Sequence, residues 1–175
     1  MNQSLNRLNE LTAADARAEF LKCCGSTSWA QRMTEMRPFT SVAELLSSCD
    51  ELWWSLSEAD WLKAFRAHPR IGEKKAATPQ TAVAEQWSTE EQSGVANAGA
   101  QTISELAQTN REYEERFGFI FIVCATGKSS EEMLAIIKSR LQNDAKTELR
   151  TAAEEQRKIT GLRLKKLLGL SAVEK

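Results

Sequence analysis

Seven consecutive residues, Phe119-Ile120-Phe121-Ile122-Val123-Cys124-Ala125, form the most strand-like stretch of the chain. A strand needs a neighbour to take up its peptide groups, and no second stretch of similar quality exists to pair with it. Elsewhere the apolar residues recur at helical spacing. The expectation is therefore an all-α, single-domain bundle, with one domain over 1–175 and about eight helices of mixed length. Within it, Phe119–Ala125 is expected to be an extended or short irregular segment buried among helices, or a short helix. Its backbone groups would need partners from elsewhere, and a ligand could be one.

Start and stop signals divide the rest. Thr12 with Asp15 reads as a helix start, and Gly25 as its end. Trp29, Met33 and Met36 suggest a short helix that stops before Pro38. Ser41-Val42-Ala43-Glu44 has the pattern of a capping box, and Ser57-Glu58-Ala59-Asp60 repeats the start signal. Residues Arg70 to Pro79 are polar and turn-prone. Ser88-Thr89-Glu90-Glu91 again reads as a capping box, launching a long helix to about Arg116. Gly94 and Gly99 weaken that helix by about 1 kcal/mol each relative to alanine. Ser129 or Ser130 starts the next helix, and Asp144 starts the last, which reaches towards Leu168.

The totals close off several functions. The chain has 175 residues, 42% hydrophobic and 27% charged, with a formal net charge of -1. That composition suits a soluble globular protein and offers no basic excess for nucleic acid. The longest apolar run is far below the roughly 20 residues that cross a bilayer. The N-terminus lacks a signal-like apolar core, and the C-terminal Ser171-Ala172-Val173-Glu174-Lys175 is not a peroxisomal Ser-Lys-Leu address. A cytoplasmic protein is expected. Cys23, Cys24, Cys49 and Cys124 form no Cys-x-x-Cys pair. With a single histidine they make a poor zinc set, so buried, reduced thiols and no metal are expected.

Four features could carry chemistry. His68, the sole histidine, stands before Pro69, where a helix must end, and Gly72 lets the chain turn. An imidazole there suits proton transfer near neutral pH. It also suits a structural role at a helix C-terminus. The polar cluster Ser88-Thr89-Glu90-Glu91-Gln92 is expected at a helix start, the apolar run Phe121–Ala125 lacks a strand partner, and Arg163 interrupts a leucine-rich turn. Each has a plain structural reading as a cap, as core, or as a surface charge with a buried stem. Together they would make a small site for a polar anionic molecule. No Ser-His-Asp or Cys-His arrangement and no phosphate-binding Gly-rich loop is supported by spacing. An enzyme of this composition is expected to work without metal or organic cofactor.

The ordered set Ala67-His68-Pro69-Arg70-Ile71-Gly72, Glu90-Glu91-Gln92-Ser93, Tyr113-x-x-Arg116-Phe117-Gly118-Phe119-x-Phe121-Ile122 and Arg163-Leu164 resembles 2-oxo-4-hydroxy-4-carboxy-5-ureidoimidazoline (OHCU) decarboxylases. The resemblance covers residues from about 10 to 169. It implies an all-α, generally dimeric enzyme that needs no cofactor and completes the conversion of urate to (S)-allantoin. It places the catalytic roles on His68, Glu91 and Arg163. It places substrate contacts on Pro69, on Ser88, Thr89, Glu90, Glu91 and Gln92, and on Phe121, Ile122, Val123, Cys124 and Ala125. Two rival readings remain: a helical module that docks a partner through Trp53, Trp54 and Trp61, or an enzyme of the same fold acting on another ureido heterocycle.

Overall fold

The computed structural model describes residues 2–73, 76–95 and 98–170, so the C-terminal tail considered above lies outside the described residues. Among the described residues there are nine α-helices, one 3-10 turn and no strand. The helices are α1 Gln3–Glu10, α2 Ala13–Cys23, α3 Thr27–Glu35, α4 Val42–Ser55, α5 Glu58–Arg66, α6 Ala82–Glu91, α7 Ala100–Phe117, α8 Ser130–Arg140 and α9 Ala145–Leu167. The all-α expectation holds. No described helix is long and apolar enough to cross a membrane.

Most boundaries are set by the caps that the sequence advertises. Thr12 accepts from the Asp15 amide at 3.1 Å, Ser41 from Glu44 at 3.1 Å, and Asp144 from Thr147 at 2.9 Å. Ser129, rather than Ser130, caps α8, and Glu132 reaches back to the Ser129 amide at 2.7 Å, a complete capping box. At α4 the box is displaced by one residue. Glu44 bonds the Thr40 amide at 2.6 Å instead of the Ser41 amide.

The chain divides into two compact units, Met1–Ala64 with Arg157–Lys175, and Phe65–Gln156. In the first, α2 packs on α3 and α3 on α4. Its core is aromatic: Phe20 meets Trp29 edge-on at 5.8 Å, and Trp61 lies tilted against Trp53 at 6.0 Å and edge-on to Trp54 at 5.6 Å. Arg37 closes the end of α1 by donating to the Leu8 and Leu11 carbonyls at 2.7 and 2.9 Å. Cys23, Cys24 and Cys49 are reduced and buried here, as expected. Burial pushes all three thiols up, Cys24 to about 11.

In the second unit α7 packs on α8. Ile71, Leu106, Tyr113, Phe121, Val123, Ala125, Met133 and Ile137 form one apolar cluster. At its side lies a buried charge network. The Glu148 carboxylate is fully buried and Arg140 is 7% exposed. Arg140 donates to Glu148 Oε1 through Nε at 2.8 Å and Nη2 at 2.5 Å. Asn143 adds a bond to Oε2 at 2.8 Å, and the Tyr113 hydroxyl donates to Oε1. Burial raises the Tyr113 hydroxyl, Arg140 opposes this, and the bond to Glu148 adds to it. Two charges placed here cost several kcal/mol in lost hydration, and only close mutual hydrogen bonding offsets that.

One expectation is corrected. Ser88–Gln92 is not a helix start. Thr81, two residues after Pro79, caps an earlier helix by accepting from the Ala84 amide at 3.2 Å. Ser88, Thr89, Glu90 and Glu91 form the last turn of that helix, and Gln92 is its C-cap. A Ser-x-x-Glu pattern fits a final turn sterically as well as a first one, so the pattern alone misplaced the boundary. The supposed long helix from Ser88 is interrupted by the 3-10 turn Ser93–Val95 and begins anew at Ala100. This break accounts for the helix beyond the expected eight.

These interiors give three expected outcomes. Glu148→Leu leaves Arg140 buried without its counter-charge and should cost about 3–5 kcal/mol in urea unfolding. Raised thiols are neutral at pH 8, so Cys23, Cys24 and Cys49 should stay inert to a thiol reagent until denaturant is added. A group held above its unfolded value stabilises the fold only at lower pH. The Cys24 contribution should therefore be present below pH 9.0 and lost as pH rises towards about 11, seen as a falling alkaline melting temperature.

Candidate active site

His68 follows the last turn of α5, and its amide still bonds the Phe65 carbonyl at 3.0 Å. Pro69 then ends the helical course, as expected. Both residues are buried, His68 with 8% exposure. The chain reverses so that Pro69 pairs with Ala76 in an isolated antiparallel bridge. Gly72 makes the turn at φ 87°, where a side chain would be strained.

Four ties fix the loop around His68. Arg70 forks onto Glu114 of α7, with Nε to Oε2 at 2.9 Å and Nη2 to Oε1 at 3.0 Å. That bond raises the Arg70 guanidinium above its ordinary value despite partial burial. Asn110, also on α7, donates to the Ile71 carbonyl at 3.2 Å. The Gln80 side-chain amide donates to the Ala67 carbonyl. Gln92 Oε1 accepts from the Gly72 amide at 3.0 Å. The Arg70–Glu114 pair is about one-third exposed, so it contributes only about 0–1 kcal/mol to stability. Its fixed fork geometry matters more, because it holds one end of the loop while Gln92 holds the other.

The second candidate cluster is split by the helix that carries it. Ser88 is buried, and Glu91 and Gln92 are half-buried, three and four residues on along the same face. Thr89 and Glu90 are exposed on the other side. Thr89 returns its hydroxyl to the Glu85 carbonyl at 3.0 Å, and Glu90 accepts from Gln86 at 2.8 Å. Because this is a helix C-terminus, free amide donors are not what it presents. The anion-binding helix start expected here is therefore absent. A carboxylate such as Glu91 is disfavoured by the dipole in this position, so its place calls for a reason other than helix stability.

Phe121–Ala125 has no regular secondary structure and is buried throughout, at 2% to 8% exposure. Three of its peptide groups are taken up by charged side chains instead of a strand. Arg140 Nη1 donates to the Ile122 carbonyl at 2.7 Å, and its guanidinium lies over the Phe121 ring at 4.7 Å. Glu155 Oε2 accepts from the Cys124 amide at 2.7 Å. Lys128 Nζ donates to the Cys124 carbonyl at 2.7 Å. Burial raises the Cys124 thiol, Lys128 opposes this, and the negative potentials of Glu155 and Glu91 add to it. The thiol thus lies within electrostatic reach of the Glu91 carboxylate.

His68, Glu91 and Phe121–Ala125 all belong to the second unit, whereas Arg163 belongs to the first. Arg163 is no surface charge. It is 3% exposed, and Nη1 donates to the Lys22 carbonyl at 3.5 Å. Trp53 and Trp61 are core residues, with Trp61 Nε1 bonded to the Trp53 carbonyl at 3.0 Å, which removes most of the aromatic surface needed for a partner-docking module. No group of acidic, histidine and cysteine residues that could hold a metal occurs among the described residues. Sequence reasoning missed Gln80, Glu114, Arg140 and Glu155. They lie 13 to 44 residues from the groups they hold, and no local pattern marks such pairs.

Comparison with known proteins gives a consistent result. The family model for OHCU decarboxylase matches residues 9–165. A Haloferax volcanii 2-oxo-4-hydroxy-4-carboxy-5-ureidoimidazoline decarboxylase is 34% identical over 163 residues, covering 93% of this chain and 92% of that protein. An Arabidopsis thaliana uric acid degradation bifunctional protein is 39% identical over 150 residues, covering 85% of this chain. This chain spans only 46% of that protein's length. A crystal structure of an OHCU decarboxylase in the presence of (S)-allantoin superposes with a TM-score of 0.75 at 40% identity, covering 87% of this chain and 98% of that one.

The turn after α6 yields a prediction. A Cβ placed on Gly94 would run into the Lys128 carbonyl, a backbone atom that cannot swing aside. Gly94→Ala should therefore force the Glu91 turn and the segment ahead of Lys128 apart. The expected cost is about 1–3 kcal/mol in urea unfolding.

Proposed function

Because the chain belongs to the OHCU decarboxylase family, we propose that it converts 2-oxo-4-hydroxy-4-carboxy-5-ureidoimidazoline to (S)-allantoin without metal or organic cofactor. The observation that carries this reading is the bond from the Gly72 amide to Gln92 Oε1 at 3.0 Å. It joins the loop of the one histidine to the helix end that carries Glu91. The family match runs across both compact units, which supports treating them as one functional domain.

The chemistry needs little more than these groups. Breaking the bond to the carboxylate releases carbon dioxide and leaves its electron pair on the ring carbon. The adjacent carbon–nitrogen double bond of the ring takes up that pair, a proton adds to the neighbouring ureido-bearing carbon, and the hydroxyl gives up its proton to become the carbonyl of the product. His68 manages the proton, either by drawing it from the substrate hydroxyl or by delivering it to the ureido-bearing carbon. Delivery from one face sets the S configuration. Glu91 orients the substrate or the imidazole. Arg163 pairs with a carboxylate or ring oxygen of the substrate. Pro69, Ser88, Gln92 and the backbone of Phe121, Ile122, Val123, Cys124 and Ala125 line the substrate. Thr89 and Glu90 contribute at most from the solvent side, since both are exposed. General acid–base help of this kind is worth about 10²–10⁴-fold in rate. A homodimer in the cytoplasm completes the reading, on the family resemblance, and light scattering tests the oligomer.

The substrate is unstable and must be made in place, by urate oxidase and hydroxyisourate hydrolase acting on urate. Circular dichroism should then show (S)-allantoin appearing faster with the wild-type protein. His68→Ala should fall back to the spontaneous rate while keeping the wild-type fold. A folded wild-type protein that gives no acceleration would overturn the decarboxylase reading.

A further inference from the structure

The buried segment between α7 and α8 is gripped at three backbone atoms, and covalent geometry turns each grip into an aiming device. The peptide bonds joining Ile122, Val123, Cys124 and Ala125 are trans. In a planar trans peptide the carbonyl of one residue and the amide of the next point in opposite directions. Arg140 holds the Ile122 carbonyl at 2.7 Å, so the Val123 amide points away from Arg140. Glu155 holds the Cys124 amide at 2.7 Å, so the Val123 carbonyl points away from Glu155. Lys128 holds the Cys124 carbonyl at 2.7 Å, so the Ala125 amide points away from Lys128.

The three aimed groups belong to buried residues, Val123 and Ala125 at 5% exposure each. Among the described residues, no side chain or backbone group bonds the Val123 amide, the Val123 carbonyl or the Ala125 amide. Buried peptide groups left in that state are costly unless something else takes them up. The grips themselves are built to hold direction. Arg140 is anchored by Glu148, Tyr113 and the Phe121 ring, so its fork has little freedom. Glu155 is half-buried and, with Glu91, contributes to the field at the Cys124 thiol.

We propose that Arg140, Glu155 and Lys128 are positioning residues that aim the Val123 and Ala125 peptide groups at the amide-like N–H and C=O groups of the substrate. The proposal rests on the decarboxylase reading and on that segment lining the substrate. None of the three side chains need touch the substrate. Their effect is felt in binding the polar edge of the ligand, which is similar in ground state and product. Loss of aim therefore raises KM and weakens product binding more than it lowers kcat.

The test uses Glu155→Ala, Glu155→Gln and Lys128→Met in the coupled urate assay, with inhibition by (S)-allantoin as a second readout. Glutamine keeps an oxygen acceptor of the same reach. Glu155→Ala should raise KM and the allantoin inhibition constant together by about tenfold, the equivalent of one hydrogen bond's worth of positioning. Glu155→Gln should stay within about threefold of wild type. Lys128→Met should follow the alanine variant in direction, and kcat should change less than KM in all three. If Glu155→Ala melts early, the glutamine and Lys128 variants decide alone. An active wild type with unmoved KM in the folded variants, or a loss confined to kcat, overturns the aiming role. An inactive wild type instead overturns the substrate reading on which it rests.

Discussion

A buried peptide run with no strand beside it must have its N–H and C=O groups taken up by something, and that constraint organises the second unit. For three of those groups the solution is charged side chains. Arg140 serves the Ile122 carbonyl, Glu155 the Cys124 amide and Lys128 the Cys124 carbonyl. Arg140 in turn needs Glu148, because a guanidinium at 7% exposure without a carboxylate would be too costly to bury. Tyr113 and Asn143 then complete the carboxylate. Thus a lack of strand partners propagates through α8 and α9 into a network of fixed direction.

The same unit fixes its histidine by many modest ties. The Arg70–Glu114 fork is too exposed to add much stability, and a single amide bond such as Gly72 to Gln92 is worth about 1 kcal/mol. Yet these ties act on one short loop from several directions. They remove the freedom of the residues flanking His68. In the proton-handling role proposed for His68 that restriction would matter, since small misplacements of an acid or base cost large factors in rate. The loop tolerates such tight bending because Gly72 adopts a positive φ there.

How well the sequence could be read depended on the range of the interaction behind each feature. Caps act over three residues, so Thr12, Ser57, Ser129 and Asp144 were readable as helix starts. The stop imposed by Pro69 on the helix before His68 is likewise local. Ser88 failed because its signal is symmetric: Ser-x-x-Glu describes both a first and a last turn, and the competing cap at Thr81 decided between them. Arg163 was weighed against a surface reading that its burial rules out. The exposure of Thr89 and Glu90 follows from which face of α6 turns inward, and no residue within α6 declares that.

The sequence by itself determined the helical class, most helix starts, the break at His68-Pro69, the strandless buried segment and the ordered residues that mark the family. Each depends on propensity, capping or spacing within a few residues. Only the tertiary structure decided that Glu91 ends a helix, that Gln92 ties it to the histidine loop, and that Arg140, Glu155 and Lys128 serve the buried segment. The last two of these partners lie 31 and 4 residues from Cys124, and only the first of those separations is hidden from a local pattern. Long-range pairing is chosen by the packing of whole helices, because burial rewards a charged side chain only where a partner already waits.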